Sequence, residues 1–244
     1  EAVRYGVCWP SHDPVVLFSA LAAATTHLGL ATTLSTASYQ PWSVVRQLST
    51  LDYLSGGRIG WNIVTGHLRG EHRAVGLDQL DHDRRYDRAD EYMELCYKLW
   101  SSIGEGAILA DRESGEFADP TKVARIEHKG EFFSCDTVGP VLPSKQGRPV
   151  LFQAGSSGRG QQFALAHAEV IFAIQPNLAG MKKFMNDLQT TAAAQGVKVP
   201  GVTFGIQPII GGTEEEAQAK LNALIERLPL DGALARLSGT MGID

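Results

Sequence analysis

Apolar residues fall along this chain in two alternating textures. From Val15 to His27 they occupy most faces of a helical wheel, with several alanines among them, and Asp13-Pro14 and Gly29 bracket the run. That pattern predicts a largely buried helix. Leu30 to Ser38 (LATTLSTAS) is rich in β-branched residues and predicts a strand. Pro41 then opens a helix through Val45, Leu48, Leu51 and Leu54, which Gly56-Gly57 stops, completing one strand–helix unit. The alternation recurs as strand 59–65, helix Tyr86 to Trp100, strand 149–154, helix Arg159 to His167 and strand 169–174. A helix around Met181 to Gln195, a strand near 202–210 and a helix from Glu214 to Arg227 follow. Repeated strand–helix units with apolar strands predict a parallel sheet covered by helices. At this point an open doubly wound sheet and a (β/α)8 barrel both remain open.

One stretch breaks the rhythm. Between Ala107 and Gly147, Gly, Pro and charged residues surround VARIEHKGEFFSC, which alternates enough for a hairpin across Lys129-Gly130. The excursion is too long for an ordinary helix-to-strand connection and reads as an inserted subdomain or lid on a single domain spanning 1–244.

Composition narrows the partner. With 43% hydrophobic and 20% charged residues among 244, the chain can bury a sizeable core, which argues against disorder. A formal net charge of -5 gives no broad basic surface, so nucleic acid and acidic membranes are poor partners and a small molecule fits better. Cys8, Cys96 and Cys135 are widely spaced and lack a zinc-site pattern, and the remaining histidines are unclustered, so no metal site is expected. No apolar run approaches the roughly 20 residues needed to span a bilayer. The expectation is a soluble protein of a reducing cytoplasm.

Three segments carry candidate chemistry. LDYLSGGRIGWNIVTG (51–66) is a helix end, a double-glycine turn and a strand whose polar residues, Asn62 and Thr65, sit at its far end. Ligands bind at the carboxyl ends of parallel strands, although Asn62 could equally satisfy neighbouring backbone in a core. FQAGSSGRG (152–160) is a strand, a Gly/Ser turn and a helix start. Such a turn either holds a phosphate or is a tight connection with a serine N-cap. In DHDRRYDRADEY (81–92), a helix beginning by His82 would put His82 and Tyr86 on one face, toward an anion or toward solvent among salt bridges. Tyr39 and Trp42 follow a strand end and are further candidates for reaching a ligand, whereas Trp100 reads as core.

Taken together, four blocks resemble a group within the bacterial-luciferase-like superfamily: 51–66, DHDRRYDRADEYMELCYKLW (81–100), FADPTKVARIEHKGEFFS (117–134) and GRPVLFQAGSSGRGQQFALAHAEVIFA (147–173). The group comprises the nitrilotriacetate, EDTA, dimethylsulfide and dibenzothiophene-sulfone monooxygenases and the long-chain alkane monooxygenase. The resemblance implies a TIM barrel binding reduced FMN, which a separate NAD(P)H:flavin reductase supplies, with O2 as co-substrate and a C–S or C–N bond of a small organic molecule oxidised and cleaved. It implies that the FMN phosphate meets His82, Tyr86 and the Gly155-Ser156-Ser157 turn, with Asn62 and Thr65 beside the flavin and Ser35 and Thr36 nearby. No catalytic residue is assigned. Relatives are longer, so two barrel strands are expected before this sequence and one after it, and a homo-oligomer is expected. Gly66 stands where related sequences often have Ser, which removes a hydroxyl near the flavin. The alternatives are a riboflavin lyase, an F420-dependent oxidoreductase and a non-catalytic flavin-binding module.

Overall fold

The structure, a computed structural model, describes residues 1–155 and 157–241. Helix α1 (Pro14–Ala24) starts where Asp13 accepts hydrogen bonds from the Val15 and Val16 N–H groups at 2.8 and 3.0 Å. It leads into strand β1 (Leu30–Ser35), and helix α2 (Pro41–Ser55) ends with Gly56 in the left-handed conformation. Strand β2 (Ile59–Val64), a short helix α3 (Arg69–Ala74) and the long helix α4 (His82–Ser101) follow. After the hairpin strands β3 (Ile126–Lys129) and β4 (Ser134–Thr137) come β5 (Val150–Gln153), α5 (Gly158–His167), β6 (Val170–Ala173) and α6 (Leu178–Gln195). Strand β7 (Gly201–Phe204) and helices α7 (Glu214–Glu226) and α8 (Leu230–Met241) complete the described chain.

Every expected strand is present and shorter than its apolar composition suggested. The largest difference is β7, expected over 202–210, which leaves the ladder at Phe204. Beyond it Pro208 has no N–H to donate, and Ile206 and Ile210 are exposed at 71% and 76%. Helix α4 begins at His82 rather than Tyr86, which meets the condition for His82 and Tyr86 to share a face.

The five parallel strands pair in the order β1-β2-β5-β6-β7. This order follows the chain and never reverses. A doubly wound sheet needs a reversal, because right-handed crossovers place helices on both faces only if the strand order turns back. Steps in one direction put every crossover helix on the same face, which is the rule of a (β/α)8 barrel. These five strands form part of such a barrel and do not close on themselves.

The main core lies between that sheet and its helices. Ile59, Trp61 and Ile63 of β2 point outward, and Trp61 packs against Tyr92 and Trp100 of α4 at centroid distances of 6.0 and 6.5 Å. Trp100, partly buried, packs against this core. A smaller cluster of Leu165, Ile171, Phe184 and Leu188 seals α5 and α6 onto β6. The Tyr39 hydroxyl bonds Asp13 at 3.3 Å, and Trp42 is exposed beneath the Arg46 guanidinium.

The hairpin forms with Gly130 N–H bonded to the Phe133 carbonyl at 2.9 Å. It rests on α4 through Glu91, whose carboxylate accepts the N–H groups of Phe132 at 2.9 Å and Phe133 at 2.7 Å and bonds the buried His128 ring at 3.2 Å. No helix among the described residues is long and apolar enough to cross a membrane.

Candidate functional site

Parallel strands converge their carboxyl ends on one rim, and here the ends of β2 and β5, the segments that follow them and the first turn of α4 meet around a cleft of about 170 Å³. Its walls include Thr65, His82, Arg85, Tyr86, Gln153 and Gly155. His82 and Tyr86, one helical turn apart, present their rings edge to face with centroids 5.3 Å apart. His82 Nδ1 bonds the Asp83 carboxylate at 2.6 Å. Tyr86 is buried against Phe163, and its hydroxyl makes no hydrogen bond among the described residues.

The turn after β5 approaches α5 more closely than side chains would allow. A Cβ on Gly155 would lie 2.4 Å from the Gln153 amide and 2.9 Å from the Gly160 Cα, and a Cβ on Gly160 would lie 2.7 Å from the Tyr86 hydroxyl. Two glycines therefore let strand end, helix start and phenol meet. The Gly155 N–H is taken by Gln153 Oε1 at 2.6 Å, so Gly155 contributes space rather than a donor. Ser157 is the N-cap of α5, its Oγ accepting from the Gly160 N–H at 3.0 Å, and its own hydroxyl proton remains to be given. In the first turn of α5, Gly158 and Arg159 have no carbonyl four residues back within the helix. Ser156 lies outside the described residues.

The other sequence candidates are spread around this cleft. Thr65, just past β2, lines it and also a second cavity of about 220 Å³ that Arg85, Arg88, His72 and Phe132 border. Asn62 sits mid-strand on the inner face of β2, its amide donating to Thr33 Oγ1 at 3.1 Å while its buried carbonyl oxygen has no partner. It bonds a side chain, not neighbouring backbone. Ser35 and Thr36 are buried at the end of β1, where Ser35 Oγ accepts from the Ala37 N–H at 3.1 Å and the Thr36 carbonyl takes Arg88. Gly66 has φ +71°, and a Cβ there would lie 2.8 Å from Ala37 Cβ, so the missing hydroxyl at this position has a backbone reason.

Four residues at or behind the cleft were not singled out from the sequence: Arg85, Gln153, Arg159 and Asp90. Gln153 carried a signal, since it is the lone amide in an apolar strand and abuts a Gly-rich turn. The others did not. Asp90 holds Arg159 and bonds His167 Nε2 at 2.9 Å, with Asp87 joining Arg159 at 3.2 Å. Burial pushes the Asp90 carboxyl up, but the His167 and Arg159 hydrogen bonds outweigh it and hold it below the ordinary value. Arg159 is lowered by burial and raised further by Asp90 and Asp87, ending above its usual value. Burial likewise pushes Tyr97, which bonds His167 Nδ1 at 3.1 Å, up to about 12. Arg88, half-buried, is lowered by desolvation, which Tyr92 and Glu91 only partly offset.

A phenol with no hydrogen bond among the described residues, a histidine and an arginine line this glycine-walled space, with the Ser157 hydroxyl and the start of α5 close behind the phenol, a set that suits an anion with several acceptor oxygens.

Comparison with known proteins adds the family. A family model described as luciferase-like monooxygenase matches residues 2–243. A long-chain alkane monooxygenase from Geobacillus thermodenitrificans (strain NG80-2) is 42% identical over 249 residues, covering 100% of this chain and 56% of that protein. A dibenzothiophene-sulfone monooxygenase from Rhodococcus erythropolis is 40% identical over 236 residues, covering 95% and 52%. Both belong to the group that the four sequence blocks resemble. Among solved structures, a riboflavin lyase with modified FMN and its substrate riboflavin superposes with a TM-score of 0.86 at 40% identity, covering 92% of this chain and 51% of the other. The chain spans about half the length of the curated relatives it matches.

Proposed function

The chain belongs to the luciferase-like monooxygenase family, and from that premise we propose that the whole protein is an FMNH2-dependent, two-component monooxygenase acting on a small organic molecule. The substrate class is a C–S or C–N bond that is oxidised and cleaved, and the reduced flavin comes from a separate NAD(P)H:flavin reductase. The observation that carries the reading is the single cleft in which Thr65, His82, Tyr86 and Gly155 meet beside the first turn of α5.

In this reading the Tyr86 hydroxyl and the Ser157 hydroxyl donate to phosphate oxygens of FMN. His82 Nε2 faces the same anion, with Nδ1 already committed to Asp83. Gly155 and Gly160 keep the space clear, and Gln153 holds the turn by its own hydrogen bond. Thr65 and Asn62 stand toward the inner face, where the isoalloxazine ring would lie. Bound there, reduced flavin with O2 supplies the oxidising equivalent. The 107–147 insertion, which brings Phe132 to the wall of the neighbouring cavity, serves as a cover on the substrate side.

The test uses full-length protein. Fluorescence-quenching titrations should show FMN bound in preference to F420, and preferential binding of F420 would reject the oxygenase reading. NAD(P)H consumption with a flavin reductase should then couple to loss of a sulfur or nitrogen compound, and turnover that yields only peroxide across the panel would remove the C–S/C–N assignment. One second reading has specific support, the 40% identity with a riboflavin lyase. Riboflavin therefore belongs in the panel, and lumichrome among the products would favour the lyase.

A further inference from the structure

We propose that Asp90 is the positioning residue of the phosphate cleft: it grips both ends of α5 and thereby sets the helix start opposite the Tyr86 hydroxyl, so that FMN is preferred over riboflavin. The proposal rests on the reading of this cleft as a flavin-phosphate site.

The geometry is a seam between two helix faces. Tyr86 and Asp90 are four residues apart on α4, and Arg159, Phe163 and His167 recur at intervals of four on α5, so each set lines one stripe. The stripes interlock. Across the seam the Arg159 guanidinium lies 5.5 Å from the Tyr86 ring centroid and Phe163 lies 5.6 Å from Tyr86, while within α5 His167 packs on Phe163 at 4.6 Å.

Aromatic contacts alone would let the helices slide, because they are weakly directional. The polar contacts remove that freedom. One Asp90 oxygen accepts from Arg159, the second helical residue of α5, and the other accepts from His167 Nε2, its last residue, at 2.9 Å. An ionised carboxylate accepts only, so the His167 proton sits on Nε2, and in the neutral ring Nδ1 is left to accept the Tyr97 hydroxyl at 3.1 Å. Sliding or rotating α5 breaks one of the two Asp90 contacts.

The cleft has little tolerance for such movement. With a Gly160 Cβ position only 2.7 Å from the Tyr86 hydroxyl, a shift of about one ångström would close the space or carry the helix donors away from the phenol. Asp90 itself lines no part of the cleft and acts through Arg159 and His167.

The test compares two ligands that differ only by the phosphate. In full-length protein, Asp90→Asn offers one acceptor atom in place of two and sets an amide N–H2 against a donor. FMN should weaken about tenfold while riboflavin changes less than about twofold. A purely structural role for Asp90 would weaken both flavins alike, and an unchanged FMN-to-riboflavin ratio in Asp90→Asn would overturn the proposal. Should that variant fail to fold, His167 decides. His167→Ala should lower the ratio, and His167→Gln, whose amide N–H reaches about as far as Nε2, should restore it. The same ratio in both His167 variants would overturn the proposal. Wild-type protein that bound FMN no more tightly than riboflavin would remove the phosphate cleft itself, a failure visible before any variant is made.

Discussion

The two ends of the barrel strands handle polar groups in opposite ways. At the amino-terminal end of β2, Arg58 spends all five guanidinium donors on its own chain: Ser55, Leu28, Ala22 and Thr25 carbonyls and the Thr25 hydroxyl, at 2.6 to 3.0 Å. Asp52 beside it is fully buried and accepts the Ile59 N–H and the Gln146 amide through one oxygen, the other being unpartnered. At the carboxyl end the bonds are left open. At the cleft the Tyr86 hydroxyl and the buried Arg85 Nε have no partner among the described residues, and mid-strand on the inner face the Asn62 carbonyl oxygen is buried without one. An unmade bond costs stability; the amino-terminal end leaves one on Asp52 beside the filled Arg58, whereas those of Tyr86 and Arg85 border one cleft, where a ligand would complete them.

The sharpest way to break this comparison is to cut a filled site and an open site and read both stability and binding. Arg58→Ala leaves the carbonyls after α1 unsatisfied and should lower the unfolding free energy by about 3 kcal/mol in denaturant titrations. FMN affinity of the folded fraction should stay within about twofold of wild type. Loss of flavin without loss of stability would show that the lower end also serves the ligand.

Tyr86→Phe is the mirror image. It removes a hydroxyl that bonds none of the described residues, so the unfolding free energy should move by less than about 0.5 kcal/mol. FMN should weaken about tenfold, since one hydrogen bond to a charged phosphate is lost. Unchanged FMN affinity would mean that the phenol is only a packing residue.

The insertion supplies an intermediate case, because Glu91 is filled like Arg58 and yet can be emptied by pH. Burial pushes its carboxyl up, but the Phe132 and Phe133 N–H groups and the His128 ring outweigh that and hold it below the ordinary range. A carboxyl lowered by folding stabilises above its unfolded pKa, and the contribution fades as pH falls through the folded value. Wild type should therefore lose its advantage over Glu91→Gln between about pH 5 and pH 3, from about 1 kcal/mol at pH 7. A difference between the two proteins that stays constant across that window would show that the N–H contacts do not depend on the charge.

How much of this was legible beforehand follows from the range of the interactions. Ile59, Trp61 and Ile63 alternate with Gly60, Asn62 and Val64, so β2 could be read from its period, and Gly56-Gly57 marked the helix end before it. Strand β7 was overextended because VTFGIQPII keeps a strand-like composition after the ladder has stopped. Helix α3 has only six residues and no apolar stripe, and α8 carries Gly232 and Gly239 inside it, so neither announced itself. His82 and Tyr86 could be paired because four residues separate them. Asp90 could not be joined to Arg159 or His167, which lie 69 and 77 residues away and meet it only through the packing of α4 on α5.

The smallest effect expected is at Ser157, where the two behaviours meet in one side chain. Its Oγ caps α5 by accepting the Gly160 N–H, as a scaffold residue would, while Oγ and the Tyr86 hydroxyl both flank one point, 3.0 and 2.7 Å from where a Gly160 Cβ would lie. Alanine cannot separate the two roles, because it removes both. Glycine can, since it caps a helix within a few tenths of a kcal/mol of serine yet has no hydroxyl. If Ser157 is only a cap, Ser157→Gly should leave stability and FMN affinity almost unchanged, and Ser157→Ala should cost about 1 kcal/mol of stability with little effect on FMN. If the hydroxyl also donates to phosphate, Ser157→Gly should bind FMN about three- to tenfold more weakly and riboflavin as before, because only the phosphate loses a partner. The second outcome is expected here, from the closeness of Ser157 Oγ to the Gly160 position that also abuts the Tyr86 hydroxyl. Equal binding of FMN by Ser157→Gly and wild type would place Ser157 with Arg58 among the scaffold residues.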